Sequence, residues 1–197
     1  VVNGATLTND RFGNANSAYS FDGNDWIDVA YFPQLNMGQG SFTLSCWALK
    51  TGNNTFQHMI TRAYLTSGPY SEKSYYLRYQ NNSIVFTHTT QSVTNFGVST
   101  GSVQGVESWH HFVAVYDSTS GNCSVYVDGV LSAVSSQNAQ NNLDNNGSLV
   151  FGVESATVSL PSGPQYLTGQ LDDIGIWNRA LSESEIQQLY SGDNSTY

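Results

Sequence analysis

Gly169-Gln-Leu-Asp-Asp-Ile-Gly-Ile-Trp-Asn-Arg-Ala-Leu181 is the stretch whose reading decides the fold of this chain. Side chains alternate across a strand, so Leu171, Asp173, Gly175 and Trp177 are expected on one face and Asp172, Ile174, Ile176 and Asn178 on the other. Ser182 follows as an N-cap, with Glu183 and Glu185 in a first helical turn and Ile186, Leu189 and Tyr190 at helical spacing. Two adjacent acids in an otherwise apolar strand are costly to bury unless their charge is compensated, and a hard cation is the usual compensator. Asp172 and Asp173 are therefore expected to have a partner.

A candidate lies near the other end of the chain, at Tyr19-Ser-Phe-Asp-Gly-Asn-Asp-Trp-Ile-Asp-Val29, which reads as strand, acidic turn and strand. Three further landmarks fall between the two segments: Gly40-Ser-Phe-Thr-Leu-Ser-Cys-Trp47, Trp109-His-His-Phe-Val-Ala-Val-Tyr-Asp117 and Val125-Tyr-Val-Asp-Gly129. Taken together and in this order, they resemble the laminin-G-like, concanavalin-A-like jelly roll family, in which a Phe-Asp-Gly turn opens the domain and an Asp-Asp strand followed by Asn-Arg-Ala-Leu-Ser closes it. The resemblance spans the whole chain. It implies an all-β, two-sheet antiparallel jelly roll sandwich with one short C-terminal helix, over a single domain of residues 1–197. It also implies one structural calcium on the rim, held by Asp22, carbonyls near Asn24 and Gly40, and Asp172. Against this stands a plainer reading, in which Asp22 closes an Asx-turn and Asp172 caps a neighbouring backbone amide.

Composition agrees with one β domain. The 197 residues are 39% hydrophobic and 13% aromatic, with 12 Tyr, 9 Phe and 4 Trp, a set rich in strand formers. Charged residues are only 11%, so the surface must be made polar by Asn, Ser, Thr, Gln and Gly, which points to a secreted or cell-surface protein. A net charge of −9 opposes binding to nucleic acid or anionic lipid, both of which need a basic footprint. No run approaches the ~20 apolar residues of a membrane span. Cys46 and Cys123 read as small buried apolar side chains or as a bridged pair.

The strands follow from local signals. Leu7 and Phe12 are expected as core anchors of a first edge segment. Phe42 to Leu49 reads as a central strand, and Met59 to Leu65, Ser74 to Gln80 and Ile84 to His88 as an antiparallel meander. The Gly68-Pro69 dipeptide makes a loop carrying Tyr70. Asp128-Gly129 is a hairpin signal, with Leu131 to Val134 beyond it. Leu149 to Val153 is a short strand, and Gln137 to Asn146 and Ala156 to Tyr166 are loops.

Chemistry is scarcer. Glucanases that share the sandwich carry Glu-x-Asp-x-x-Glu on one strand; that pattern is absent here. Asp172 and Asp173, being adjacent, are expected to point to opposite faces and so not to flank one glycosidic bond. His110 and His111 point apart by the same rule, and no spacing resembles a zinc site. Sugar binding asks for flat aromatic faces beside planar polar groups. Tyr76 and Arg78 share one strand face, opposite Tyr75, Leu77 and Tyr79, and Arg62 and Tyr64 share a face of the preceding strand. Two of the chain's four arginines thus fall on the meander. The expectation is a non-catalytic carbohydrate-binding module, part of a larger multidomain protein, with Tyr76, Arg78, Arg62 and Tyr64 as an exposed ligand surface. Alternatives of other classes are an adhesion or spacer domain that binds protein or positions a neighbour, and a catalytic sandwich.

Overall fold

Residues 1–65, 71–89, 95–136, 142–154 and 165–192 are described by the computed structural model. In chain order the first strands are β1 (Val2–Asn3), β2 (Thr6–Thr8), β3 (Ala18–Asp22), β4 (Trp26–Val29), β5 (Phe42–Lys50), β6 (Phe56–Leu65) and β7 (Ser71–Gln80). They are followed by β8 (Ser83–Thr89), β9 (Asn95–Ser102), β10 (His110–Asp117), β11 (Asn122–Val127), β12 (Val130–Ser136), β13 (Leu149–Phe151) and β14 (Thr168–Trp177), then the helix α1 (Glu183–Ser191). Pro33–Leu35 forms a short 3-10 turn.

Two antiparallel sheets result. One runs β1-β4-β13-β6-β7-β8-β9 and the other β12-β11-β10-β5-β14-β3-β2. The expected sandwich with one terminal helix is the observed one. Between the sheets, Phe42, Leu44, Cys46 and Ala48 of β5 meet Tyr75, Leu77 and Tyr79 of β7, all fully buried. The alternation that predicts these inward positions holds because both strands are regular there. Cys46 and Cys123 are buried and unbridged. No described helix is long and apolar enough to cross a membrane.

Turn chemistry sets the register. Asp128 and Gly129 both take positive φ, at 52° and 77°, the requirement of the two-residue turn that joins β11 to β12. Leu7 and Phe12 depart from expectation: they are 53% and 70% exposed rather than core anchors. β2 is the edge of its sheet, so the one face available to Leu7 is not covered, and Phe12 sits at the tip of the turn after it.

β14 is irregular, and the irregularity matters. Leu171 pairs with Ala48 and Asp172 with Trp47, but the register then shifts so that Gly175 pairs with Ser45 and Ile176 with Leu44. Asp173 takes the left-handed conformation at φ 43° within this bulge. Ile174 and Ile176 therefore pack with Leu171 against the core, while Trp177 joins a second apolar cluster outside the sheet. A strict alternation puts Leu171 and the isoleucines on opposite faces; the bulge reconciles them.

That second cluster is where α1 docks. Ile186 and Leu181 pack on Val113, Val115 and Tyr126 of the outer sheet surface. The helix is closed by a capping box, Ser182 with Glu185, and ends at Gly192 in the left-handed conformation (φ 73°).

Candidate functional site

The surface expected to bind ligand is only partly assembled. β6 and β7 are neighbours, but Arg62 pairs with Tyr75 and Thr61 with Tyr76, which puts Arg62 on the core side of the sheet. Arg62 is completely buried. Its guanidinium donates to the carbonyls of Leu35, Asn145 and Gly147 and to Asn36 Oδ1. It ties two loop segments, 35–36 and 145–147, to β6 and cannot extend an exposed surface, which corrects the sequence expectation. Register shifts at His58/Ile60 and Arg62/Ala63 break the alternation from which its face was read.

Tyr76 and Arg78 do share the outer face, as expected, yet Tyr76 is only 7% exposed. Arg78 lies over the rings of Phe56, at 4.5 Å, and Tyr76, at 5.0 Å, and donates to Gln80 and Gln165. Tyr76 is thus a support beneath Arg78 rather than an open platform. Tyr64 pairs with Glu72 through its backbone, while its side chain, like Tyr70, lies outside the described residues.

The four residues expected to hold calcium are not brought together. Asp22 pairs with Thr168 at one end of β14, whereas Asp172 lies four residues along the same strand, about 13 Å away at ~3.3 Å per residue. Gly40 precedes β5 at its far end, about 30 Å from the Asp22 rim by the same rise. Asp22 instead closes an Asx-turn by accepting from Asn24 N, and Asp172 accepts from Asp173 N. Asn24 stays near Asp22: its side-chain amide is 3.2 Å from both Asp22 Oδ1 and Asp25 Oδ1. Among the described residues no three His, Cys, Asp or Glu side chains cluster as a metal site.

The compensator of the acid pair is Arg11. Its Nη1 lies 2.7 Å from Asp172 Oδ2 and 2.8 Å from Asp173 Oδ2. The bulge turns Asp173 to the same side as Asp172, contrary to the expectation that the two point apart. Burial and the neighbouring Asp173 raise the pKa of Asp172, and Arg11 counters both. The guanidinium also lies 4.4 Å from the ring of Trp47 and 4.3 Å from that of Phe12. It is held in a turn made by Asp10, whose carboxylate accepts from Phe12 N and Asn14 N.

Beside this clamp is a cavity of about 260 Å³, roofed by Leu189 and Gly192 at the end of α1 and walled by Trp47, Trp177, His111 and Arg11. Gly175 gives Trp177 its place, since a Cβ there would come within 2.2 Å of the indole. Trp47 stacks with His111, at 5.2 Å between centroids, and with Tyr190, at 5.6 Å. His111 Nε2 lies 2.8 Å from Ser45 Oγ. Burial pushes the His111 imidazole down to about 4, so it is neutral at pH 7. No carboxylate meets its Nδ1 among the described residues, so the Ser45–His111 pair lacks the orienting acid of a hydrolytic triad. Indole walls, a fixed guanidinium and a neutral imidazole make a surface suited to a polar ring with an apolar face. Arg11 gave no sequence signal, as it stands alone in a polar segment 161 residues from its partner.

Known proteins share this architecture. The binding domain of Paraclostridial Mosquitocidal Protein 1 superposes with a TM-score of 0.75 at 18% identity, over 99% of this chain and 47% of that one. The CBM40 of Ruminococcus gnavus IT-sialidase, solved bound to α2,3-sialyllactose, gives a TM-score of 0.74 at 13% identity, covering 88% of this chain and 96% of that one. C-reactive protein of Sus scrofa is 29% identical over 130 residues, covering 62% of this chain and 58% of that protein. The chain thus spans about half the length of the toxin binding domain and little more of C-reactive protein. The laminin G type 3 family model matches residues 8–187, and its span takes in Arg11, the whole of β14 and the start of α1; the chain belongs to the concanavalin A-like lectin/glucanases superfamily.

Proposed function

We propose that this chain is a non-catalytic glycan-binding module of a secreted or cell-surface protein, working as one part of a longer chain. The observation that carries the reading is the cavity beneath α1, where Trp47 and Trp177 wall a space that Arg11, His111 and Asp173 also line. Sugar rings present apolar faces to aromatic side chains and hydroxyls to fixed polar groups, and this lining offers both. The structure solved with α2,3-sialyllactose, which has the same fold, makes glycan binding a natural use of such a sandwich, although the fold alone does not assign it. A glycan array probed with the whole chain tests this. Retention of at least one glycan class, with quenching of tryptophan fluorescence and no cleavage, is expected. If no glycan is retained, an adhesion or spacer role takes its place.

A calcium is part of the proposal, at the Asp22-Gly-Asn-Asp25 turn alone. The supporting observation is the Asn24 amide between two carboxylates: with its oxygen facing them, three side-chain oxygens meet on one turn, whereas rotated by half a turn it donates from its nitrogen to both.

A further inference from the structure

Two side chains that line the cavity under α1 each carry a buried polar atom with no partner among the described residues: Arg11 Nε and His111 Nδ1. His111 is 1% exposed, and the Arg11 side chain is 9% exposed. A guanidinium Nε can only donate, and a neutral imidazole nitrogen donates or accepts with its tautomer. Both atoms are closed off from solvent, so these side chains serve the cavity as fixed walls, and a ligand is held by the indole faces of Trp47 and Trp177 and by the carboxylate of Asp173.

Charge narrows the class. Arg11 contributes one positive charge, and Asp172 and Asp173 contribute one negative charge each, so the clamp beside the cavity carries −1. The arginine is already committed to both acids through Nη1. Asp173 is bound only through Oδ2 in that pair, and its side chain is 63% exposed, which leaves carboxylate surface at the cavity mouth. An anionic group entering here meets that carboxylate, while an ammonium or a hydroxyl finds an acceptor. The volume, about 260 Å³, lies just below the ~300–1,000 Å³ of drug-sized pockets and suits one ring rather than an oligosaccharide.

From this we infer that the cavity between Arg11, His111 and Asp173 is a single-residue sugar subsite that accepts neutral and amino hexoses and rejects acidic ones, with Asp173 as the residue that sets the charge preference. The inference rests on the glycan-binding reading above. It also separates this chain from the neighbour solved with sialyllactose, whose ligand is named for an acidic sugar.

The test uses the whole chain and two sets of probes that differ only in charge: galactose, galactosamine and galacturonic acid, then glucose, glucosamine and glucuronic acid. Binding is read from tryptophan fluorescence and from the ring resonances of the four histidines. In at least one set, the amino and neutral sugars should bind at least tenfold more tightly than the acid, and saturation should shift the His111 ring signals. Asp173→Asn should bring the three affinities within about threefold of one another. An acid that binds as tightly as its neutral partner, an unchanged order in Asp173→Asn, or binding that leaves the His111 signals unmoved would each overturn the inference while leaving glycan binding intact. Failure of every sugar here and of every glycan on the array would instead remove the glycan-binding reading, and this subsite with it.

Discussion

Arg11 reaches across 161 residues of sequence to place Nη1 2.7 Å from Asp172 Oδ2, in a contact where both side chains are under a tenth exposed. An ion pair this buried contributes little relative to an apolar substitute, but breaking it leaves an uncompensated charge. Arg11→Ala should therefore destabilise the fold by about 3–5 kcal/mol. Adding Asp172→Asn and Asp173→Asn to that variant should recover much of the loss. Urea unfolding of the three proteins measures it, and equal stability of Arg11→Ala and wild type would show that the clamp is solvated.

Arg62 should behave as a structural residue. Removing its guanidinium leaves the carbonyls of Leu35, Asn145 and Gly147 without their donor. Charge-assisted bonds of this kind each contribute about 1.5–3 kcal/mol, so Arg62→Met is expected to cost at least about 3 kcal/mol. Glycan affinity of the folded fraction should be unchanged. Selective loss of binding at constant stability would return Arg62 to the ligand surface.

Acid should weaken the protein in a defined window. Burial holds His88 and His111 at about 4, against an ordinary value of 6.5. Because the folded state takes up these protons less readily than the unfolded chain, stability is complete above about pH 6.5 and falls as pH drops towards 4, by about 3 kcal/mol per histidine. Neither ring nitrogen of His88 has a partner among the described residues, and its ring lies between Phe96, at 5.7 Å, and Tyr116, at 4.5 Å. His88→Phe is accordingly expected to raise the melting temperature at pH 5 more than at pH 7.5. A pH-independent effect of that substitution would contradict the assignment.

For calcium, a ligand that binds only the folded chain stabilises it by RT ln(1 + [L]/Kd), about 2.7 kcal/mol at a hundredfold excess. Calcium should raise the melting temperature, a chelator should reverse the rise, and Asp22→Asn should abolish it. Since Asp22 is exposed, that variant should otherwise fold as wild type does. Melting that ignores both calcium and chelator would leave Asp22 with its Asx-turn alone.

The sandwich was legible because its evidence is local and repeated: alternation in β5 and β7, the Asp128-Gly129 turn, and the Ser182–Glu185 cap each specify their own element. The site was less so. Alternation arithmetic fails at the β14 bulge, where Asp173 adopts a conformation that sequence permits but does not demand, and with it failed the assignment of the two acids to opposite faces. The acids announced a missing positive charge correctly, but nothing near them in the chain identified Arg11. Arg62 misled for the opposite reason: arginine is seldom fully buried, so a strand arginine reads as exposed until its register and the loops around it are known.

β14 is made near the end of the chain yet lies between β5 and β3 in the middle of its sheet. During synthesis the β2–β3 hairpin therefore has no neighbour on its inner edge until residues 168–177 have left the ribosome. The turn bearing Arg11 waits with it, since Asp172 and Asp173 arrive on that same late strand. The joining of the two halves of this sheet, the neutralising of the clamp and the seating of α1 consequently depend on one strand insertion. A nascent chain stopped before Thr168 would hold a split sheet, with β5 and β3 offering unpaired edges to whatever lies nearby.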